Sequence, residues 1–319
     1  MKKITFIIFL VFAHCFSQTS ASQLSCDKKT FTYKIAGQDS IKSDFYQISN
    51  DQIIRPLIVW IHGGALIWGS RASLPEEQLE FYLNAGYSVL SIDYRLAPET
   101  KLAEIVTDVK DAIVWAQNHN TELKIDQNRL FVIGHSAGAY LALMTGYMLE
   151  HPPRAIVSFY GYGDIQSSWS NQPDSSYLKW DSVSKEKALN QIHSVPITNA
   201  SSKERFSLYL YSRQQGSWAQ MISGRNPLQE PTYFDPFCPV KNINSHFPPV
   251  LLIHGDKDTD VPFEQSVLLD QALSAKNIDH RFIKMTGFDH AFDKSEGGLG
   301  NAQISDAFQA VVRFMDKQK

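Results

Sequence analysis

Arg129-Leu-Phe-Val-Ile-Gly134-His135-Ser136-Ala137-Gly138 is the stretch on which the fold of this chain turns. The apolar run Arg129 to Ile133 breaks at Gly134 and passes directly into Ala137 to Leu149, a run of good helix formers. Strand, sharp turn and helix form the setting in which G-x-S-x-G makes a nucleophile elbow. Glycine is needed on both sides because a side chain would clash in so tight a turn. The serine then projects from the end of the strand. The helix N-terminus beneath it offers N–H groups to a developing negative charge. A plain Gly-rich strand–helix turn has the same letters, so the flanking segments decide.

Outward from the elbow, short apolar runs recur, each ending in turn residues: Pro56 to Ile61, Tyr87 to Ile92, Ala155 to Tyr160 and Pro249 to Ile253. Runs apolar on both faces suit central strands of a parallel sheet. Between them lie helical patterns. Leu102, Ile105, Val109, Ile113 and Ala116 keep a three-to-four spacing, and Phe263 to Ala275 and Ala302 to Met315 are similarly periodic. The alternation predicts an α/β fold, a mostly parallel sheet flanked by helices. Thr30 to Ile48 reads as an antiparallel hairpin at the sheet edge. From about residue 162 to 247 the rhythm stops, and aromatics accumulate, among them Trp169, Tyr177, Trp180, Tyr209 and Trp218. This interval is expected to be a cap inserted between two late strands of a single domain spanning 22–319. Its aromatics either line an acyl or aryl pocket or form the cap's own core; Leu189 to Leu210 is expected to hold helices.

A serine hydroxyl is a weak nucleophile and needs a base, itself oriented by an acid. In this fold the chain order is serine, acid, histidine. After the last long apolar run comes His254-Gly-Asp-Lys-Asp258-Thr-Asp260-Val-Pro262, and after the next strand, His280 to Met285, comes Gly287-Phe-Asp289-His290. Both loops fall at C-terminal strand ends, where open α/β sheets bind ligands. Ser136, Asp258 and His290 are the candidate catalytic set, with Asp256, Asp260 and Asp289 as rivals for the acid. His62-Gly63-Gly64-Ala65 follows the first long run; Gly63 and Gly64, with Ala137 after the nucleophile, are the candidate oxyanion-hole donors.

These pieces, together with Tyr94-Arg-Leu-Ala-Pro-Glu99, resemble the α/β-hydrolase superfamily, and within it the esterase and lipase group similar to hormone-sensitive lipase. The matching segments span roughly residues 55 to 295. The resemblance implies a Ser136–His290–Asp258 triad, oxyanion donors at Gly63, Gly64 and Ala137, and a bracing role for Tyr94 to Glu99. There are departures. Ala65 stands where that group often has a third glycine. The acid loop ends in Asp-x-x-Val-Pro, as in carboxylesterases, BD-FAE-like feruloyl-esterase relatives and prolyl-oligopeptidase-type hydrolases. The cap is internal rather than N-terminal.

Composition is consistent with this. Of 319 residues, 43% are hydrophobic and 20% charged, which is enough apolar material for a sizeable core. The net charge of −3 gives no electrostatic reason to expect nucleic acid as a partner. Lys2 and Lys3, the apolar run Ile4 to Phe16 and the small residues up to Ser22 have the layout of a secretory signal peptide over 1–21, cleaved after Ser17 or Ala21. The apolar run is too short to span a bilayer, and no later segment is a transmembrane candidate. A secreted or periplasmic protein is expected, with no stable membrane span after signal removal. His14 before Cys15 disfavours a lipoprotein. Cys26 and Cys238 either pair or stay free. The expected activity is hydrolysis of small-molecule or polysaccharide-linked esters, short-chain, aryl or sugar, with no metal or cofactor. A serine amidase or peptidase and a non-catalytic binding protein are the alternatives.

Overall fold

The computed structural model describes residues 25–318 except Asp51 and Glu296; the expected signal peptide lies outside the described residues. The strands are β1 (Cys26–Ala36), β2 (Asp39–Ile48), β3 (Arg55–Ile61), β4 (Ser88–Ile92), β5 (Ile125–His135), β6 (Ala155–Phe159), β7 (Val250–Gly255) and β8 (His280–Met285). They form one sheet in the order β1-β2-β4-β3-β5-β6-β7-β8. The β1–β2 hairpin pairs antiparallel and joins β4 antiparallel; all other pairs are parallel. This is the expected mostly parallel α/β architecture.

The sheet is buried on both sides, which explains why its central strands are unbroken apolar runs. Leu57, Val59, Ile61, Leu130, Val132, Ile156, Val250 and Leu252 face the helices Leu102–Asn118 and Ala137–Met148. Ile58, Trp60, Phe131, Ile133, Val157 and Leu251 face the opposite layer, against the helices Glu76–Asn84 and Ala302–Lys317. Each such fully buried side chain contributes about 1.5–3 kcal/mol relative to exposure. The helix Ala137–Met148 is buried continuously from Ala137 to Gly146, so it is apolar all round rather than striped. Ala302–Lys317 buries a stripe instead: Ile304, Ala307, Phe308, Val311, Phe314 and Met315.

Strand order places the site. From β3 the chain moves outward to β4, then crosses back to β5 on the other side of β3 and continues to β8. The ends of β3 and β5 therefore flank the point where strand order reverses, the crevice in which open α/β sheets take ligands. His62-Gly63-Gly64 follows β3, and Ser136 follows β5.

Some elements differ from expectation. The helix Glu76–Asn84 is additional. The hairpin begins at Cys26 rather than Thr30. The connection between β6 and β7 holds short helices, including Lys185–Leu189, Ser202–Gln214 and Trp218–Ser223. Within Leu189 to Leu210, helix resumes only at Ser202, where Ser201 and Glu204 cap it reciprocally. Cys26 is exposed, Cys238 is buried, and both thiols are free. No helix among the described residues is long and apolar enough to cross a membrane.

Candidate active site

Ser136 sits at the turn between β5 and its helix with φ 55° and ψ −119°. Such a conformation costs on the order of 1–3 kcal/mol and persists only where its surroundings enforce it. Here Ser136 N donates to Phe159 O (2.9 Å), and Tyr140 N donates to Ser136 O (3.1 Å). The glycines are a steric necessity. A Cβ on Gly134 would lie 2.1 Å from Gly138 O, and one on Gly138 would lie 2.1 Å from Ile61 O.

The structure brings Ser136, His290 and Asp258 together. His290 Nδ1 is 2.7 Å from Asp258 Oδ2, and His290 Nε2 is 3.0 Å from Ser136 Oγ. Because a carboxylate only accepts, the proton of the neutral imidazole sits on Nδ1, and Nε2 is then left to accept from the serine hydroxyl. Burial works against a charged His290 imidazole. The negative charge of Asp258, its hydrogen bond, and the charges of Asp260 and Asp289 outweigh that, and His290 is pushed up to about 9.

The rival aspartates have other tasks. Asp256 accepts from Gly287 N (2.7 Å), and Asp289 accepts from Thr259 N (2.7 Å) and from His290 N (2.7 Å). These bonds tie the acid loop to the histidine loop. Asp260 accepts from Tyr177 Oη (2.8 Å), Tyr209 Oη and Arg213 Nη1 (3.2 Å), all from the β6–β7 connection.

His254, at the end of β7, is a site residue that the motifs do not single out. Its Nε2 lies 3.0 Å from Asp258 Oδ2 and 3.1 Å from Val261 O, while Nδ1 lies 2.7 Å from Ser266 Oγ. Two acceptors at Nε2 fix the proton there, and Ser266 donates to Nδ1. Asp258 Oδ1 also accepts from Asp260 N (2.9 Å) and Val261 N (2.8 Å). Burial disfavours a charged Asp258. The charge of His290 and the hydrogen bonds from both histidines more than compensate, holding the carboxyl well below its usual range. The readable signal for His254 was its place on an apolar strand four residues before the acid.

The loop after β3 packs directly on the elbow: a Cβ on Gly63 would lie 2.7 Å from His135 O and 3.2 Å from Ser136 Cβ. Gly63 thus stands beside Ser136, Gly64 follows it in the chain against Trp68, and Ala137 opens the helix after the serine. His62 is fully buried, and burial lowers its imidazole to about 3. Neutral, it donates from Nδ1 to Gly63 O (2.7 Å) and stacks on Tyr94 with ring centroids 4.1 Å apart. Ala65 and Leu66 both have positive φ, 54° and 65°. That backbone explains the advantage of glycine at position 65 in similar loops. Here Trp218 Nε1 donates to Ala65 O (3.1 Å) and Ala97 N donates to Leu66 O (2.8 Å), holding the conformation.

Tyr94 to Glu99 braces these parts. Tyr94 Oη donates to His62 O (2.9 Å), Arg95 forks onto Asp108 (2.7 and 2.9 Å), and Glu99 pairs with buried Arg205 (2.7 and 3.2 Å). The aromatics of the β6–β7 connection make two sets of contacts. Trp218 and Trp169 join Tyr162 in a buried cluster, whereas Tyr177 and Tyr209 reach Asp260 beside His290. Trp180 is largely exposed and packs on Phe206.

The sheet, the strained elbow and the loops at the strand ends define an α/β-hydrolase. The chain belongs to the BD-FAE family, whose model matches residues 43–273, and it lies within the α/β-hydrolase esterase superfamily. The dienelactone hydrolase family model matches residues 234–318. Among curated relatives, the non-reducing polyketide synthase Preu6 of Preussia isomera is 29% identical over 86% of this chain, which spans only 14% of that protein's length. Among solved structures, a Staphylococcus aureus Mu50 protein of unknown function superposes with TM-score 0.74 at 24% identity, over 91% of this chain and 98% of that one. An Enterococcus faecalis α/β-hydrolase superfamily protein gives 0.71 at 25%, with the same coverage. Thermogutta terrifontis esterase 2, phosphoramylated by tabun, gives 0.65 at 20%, over 91% and 94%.

Proposed function

We propose that this protein is an exported serine hydrolase that cleaves carboxylic esters through an acyl-enzyme. The observation that carries the reading is the continuous relay Ser136 Oγ to His290 Nε2 (3.0 Å) and His290 Nδ1 to Asp258 (2.7 Å). His290 takes the serine proton as Oγ attacks the ester carbonyl. Asp258 holds the imidazole and stabilises its cationic form. The N–H groups of Gly63, Gly64 and Ala137 stabilise the tetrahedral oxyanion. The alcohol leaves with the proton from His290, and water repeats the sequence on the acyl-enzyme. Residues 162–247 act as a cap over this centre, and short-chain, aryl or sugar esters are the substrate class. The esterase named among the solved structures supports the reaction type, and the leader-like residues 1–21 support export.

One mass-spectrometric experiment tests the reaction and the export together. Protein recovered from an exporting host is treated with a serine-directed fluorophosphonate and assayed on p-nitrophenyl acetate. The expected results are ester turnover, one adduct on the Ser136 peptide, and a mature N-terminus at Gln18 or Ser22. A folded protein that neither reacts nor turns over the ester overturns the hydrolase reading. A mature chain retaining residues 1–21 overturns the export.

The pH dependence follows from His290. Only neutral imidazole can accept the serine proton, and the folded-state value of about 9 lies above the ordinary 6.5. We therefore expect kcat/KM to rise about tenfold per pH unit through the neutral range and to level off near that value. Stability runs the other way. A raised value means the folded state binds this proton more tightly, so its contribution is fully present below 6.5 and is lost as pH rises through about 9. A rate profile flat from pH 6 to 9 would contradict the raised value of His290 in the folded protein.

A further inference from the structure

We propose that Asp260 determines specificity for the alcohol, selecting esters that carry a free hydroxyl on the carbon next to the ester-bearing one, the pattern of polyol and sugar esters. The inference rests on the ester-hydrolase reading and deepens it. The leaving alcohol oxygen takes its proton from His290 Nε2 and so must come within about 3 Å of that atom. Asp260 Oδ2 stands 3.6 Å from the same nitrogen. The carboxylate therefore flanks the alcohol side of the reacting bond, and a hydroxyl one carbon away from the leaving oxygen comes within its reach.

The other oxygen is committed. Oδ1 takes Tyr177 Oη, Tyr209 Oη and Arg213 Nη1, and the Asp260 main-chain oxygen takes Arg213 Nη2 (3.1 Å). Arg213 is itself 1% exposed, is paired with Asp174, and lies over the Trp169, Tyr177 and Tyr209 rings at 5.2, 5.0 and 5.6 Å. The carboxylate is thus fixed in orientation, while its side chain keeps 20% of its surface open. A charged acceptor held this way gains a strong hydrogen bond from a hydroxyl. An analogue lacking the donor leaves it unpaired, which is how sites built for a substrate hydroxyl reject deoxy compounds.

The test compares kcat/KM for 2-hydroxyethyl acetate and propyl acetate, which differ by a hydroxyl in place of a methyl group of similar size. The wild-type protein is expected to favour the hydroxylated ester by about tenfold or more. In Asp260→Asn, which keeps an oxygen for Tyr177, Tyr209 and Arg213, that ratio is expected to fall most of the way to one. General damage to the site, or a changed His290 titration, would lower both esters alike and leave the ratio intact. Propyl acetate turned over with a wild-type ratio near one overturns the Asp260 assignment and leaves the hydrolase reading standing. A ratio unchanged by Asp260→Asn also overturns the assignment. Failure on both acetates and on p-nitrophenyl acetate overturns the hydrolase reading, and this inference with it.

Discussion

Ser136→Ala is expected to lower kcat/KM toward short-chain esters by on the order of 10⁴- to 10⁶-fold while leaving the fold unchanged. The nucleophile exists only as the serine hydroxyl, and the relay through His290 has nothing to deprotonate without it. The fold is insensitive because alanine keeps the same Cβ in the same strained backbone at φ 55°, and the main-chain bonds to Phe159 and from Tyr140 remain. Stability should shift by less than about 1 kcal/mol, the usual range where no core packing or buried pair is lost. Turnover on p-nitrophenyl acetate and a thermal melt measure the two quantities. Turnover within tenfold of wild type would remove Ser136 from the mechanism.

Asp258→Asn is expected to have the next largest effect, a loss of about 10³- to 10⁴-fold. An amide at this position no longer dictates that Nδ1 carries the His290 proton, so the imidazole loses the tautomer in which Nε2 faces Ser136. The fold should tolerate the change better than removal of a buried carboxylate usually allows, because His254 Nε2 keeps Val261 O as an acceptor at 3.1 Å. A second signature accompanies the rate loss. The charge of Asp258 is the largest of the influences raising His290. Without it, the residual activity should reach its plateau at lower pH than in the wild-type protein. A variant that loses rate with the plateau unmoved would mean that Asp258 orients the ring without setting its proton affinity.

How much of this was legible in the sequence depended on whether the deciding interactions were local. The central strands were readable because burial on both faces forces near-continuous apolar runs. The elbow was readable because Gly134 answers a clash with Gly138, its neighbour in the same short motif. Ser136, Asp258 and His290 could be placed because each follows a strand, and strand ends converge at the reversal of sheet order. The choice of Asp258 over Asp256, Asp260 and Asp289 was made ahead of the resemblance and agreed with it. Its physical basis lies in bonds between loops about thirty residues apart, which spacing does not reveal. Arg213 was beyond reach because a charged residue within a helix reads as solvent-facing until the fold buries it, and Asp260, visible as a rival acid, gave no sign of its partners in the β6–β7 connection. The start of the helix Ser202–Gln214 was available, since Ser201-Ser-Lys-Glu204 has the capping-box pattern, but the polar surroundings obscured it.

The bond from Trp218 Nε1 to Ala65 O has a mechanical consequence. The β6–β7 connection is keyed into the loop that carries Gly63 and Gly64, and the Arg205–Glu99 pair pins it a second time. It follows that it is built as a keystone rather than a hinged door. Lifting it would release the loop that carries Gly63 and Gly64, so in the proposed mechanism a cap that opened would also loosen the groups meant to hold the oxyanion.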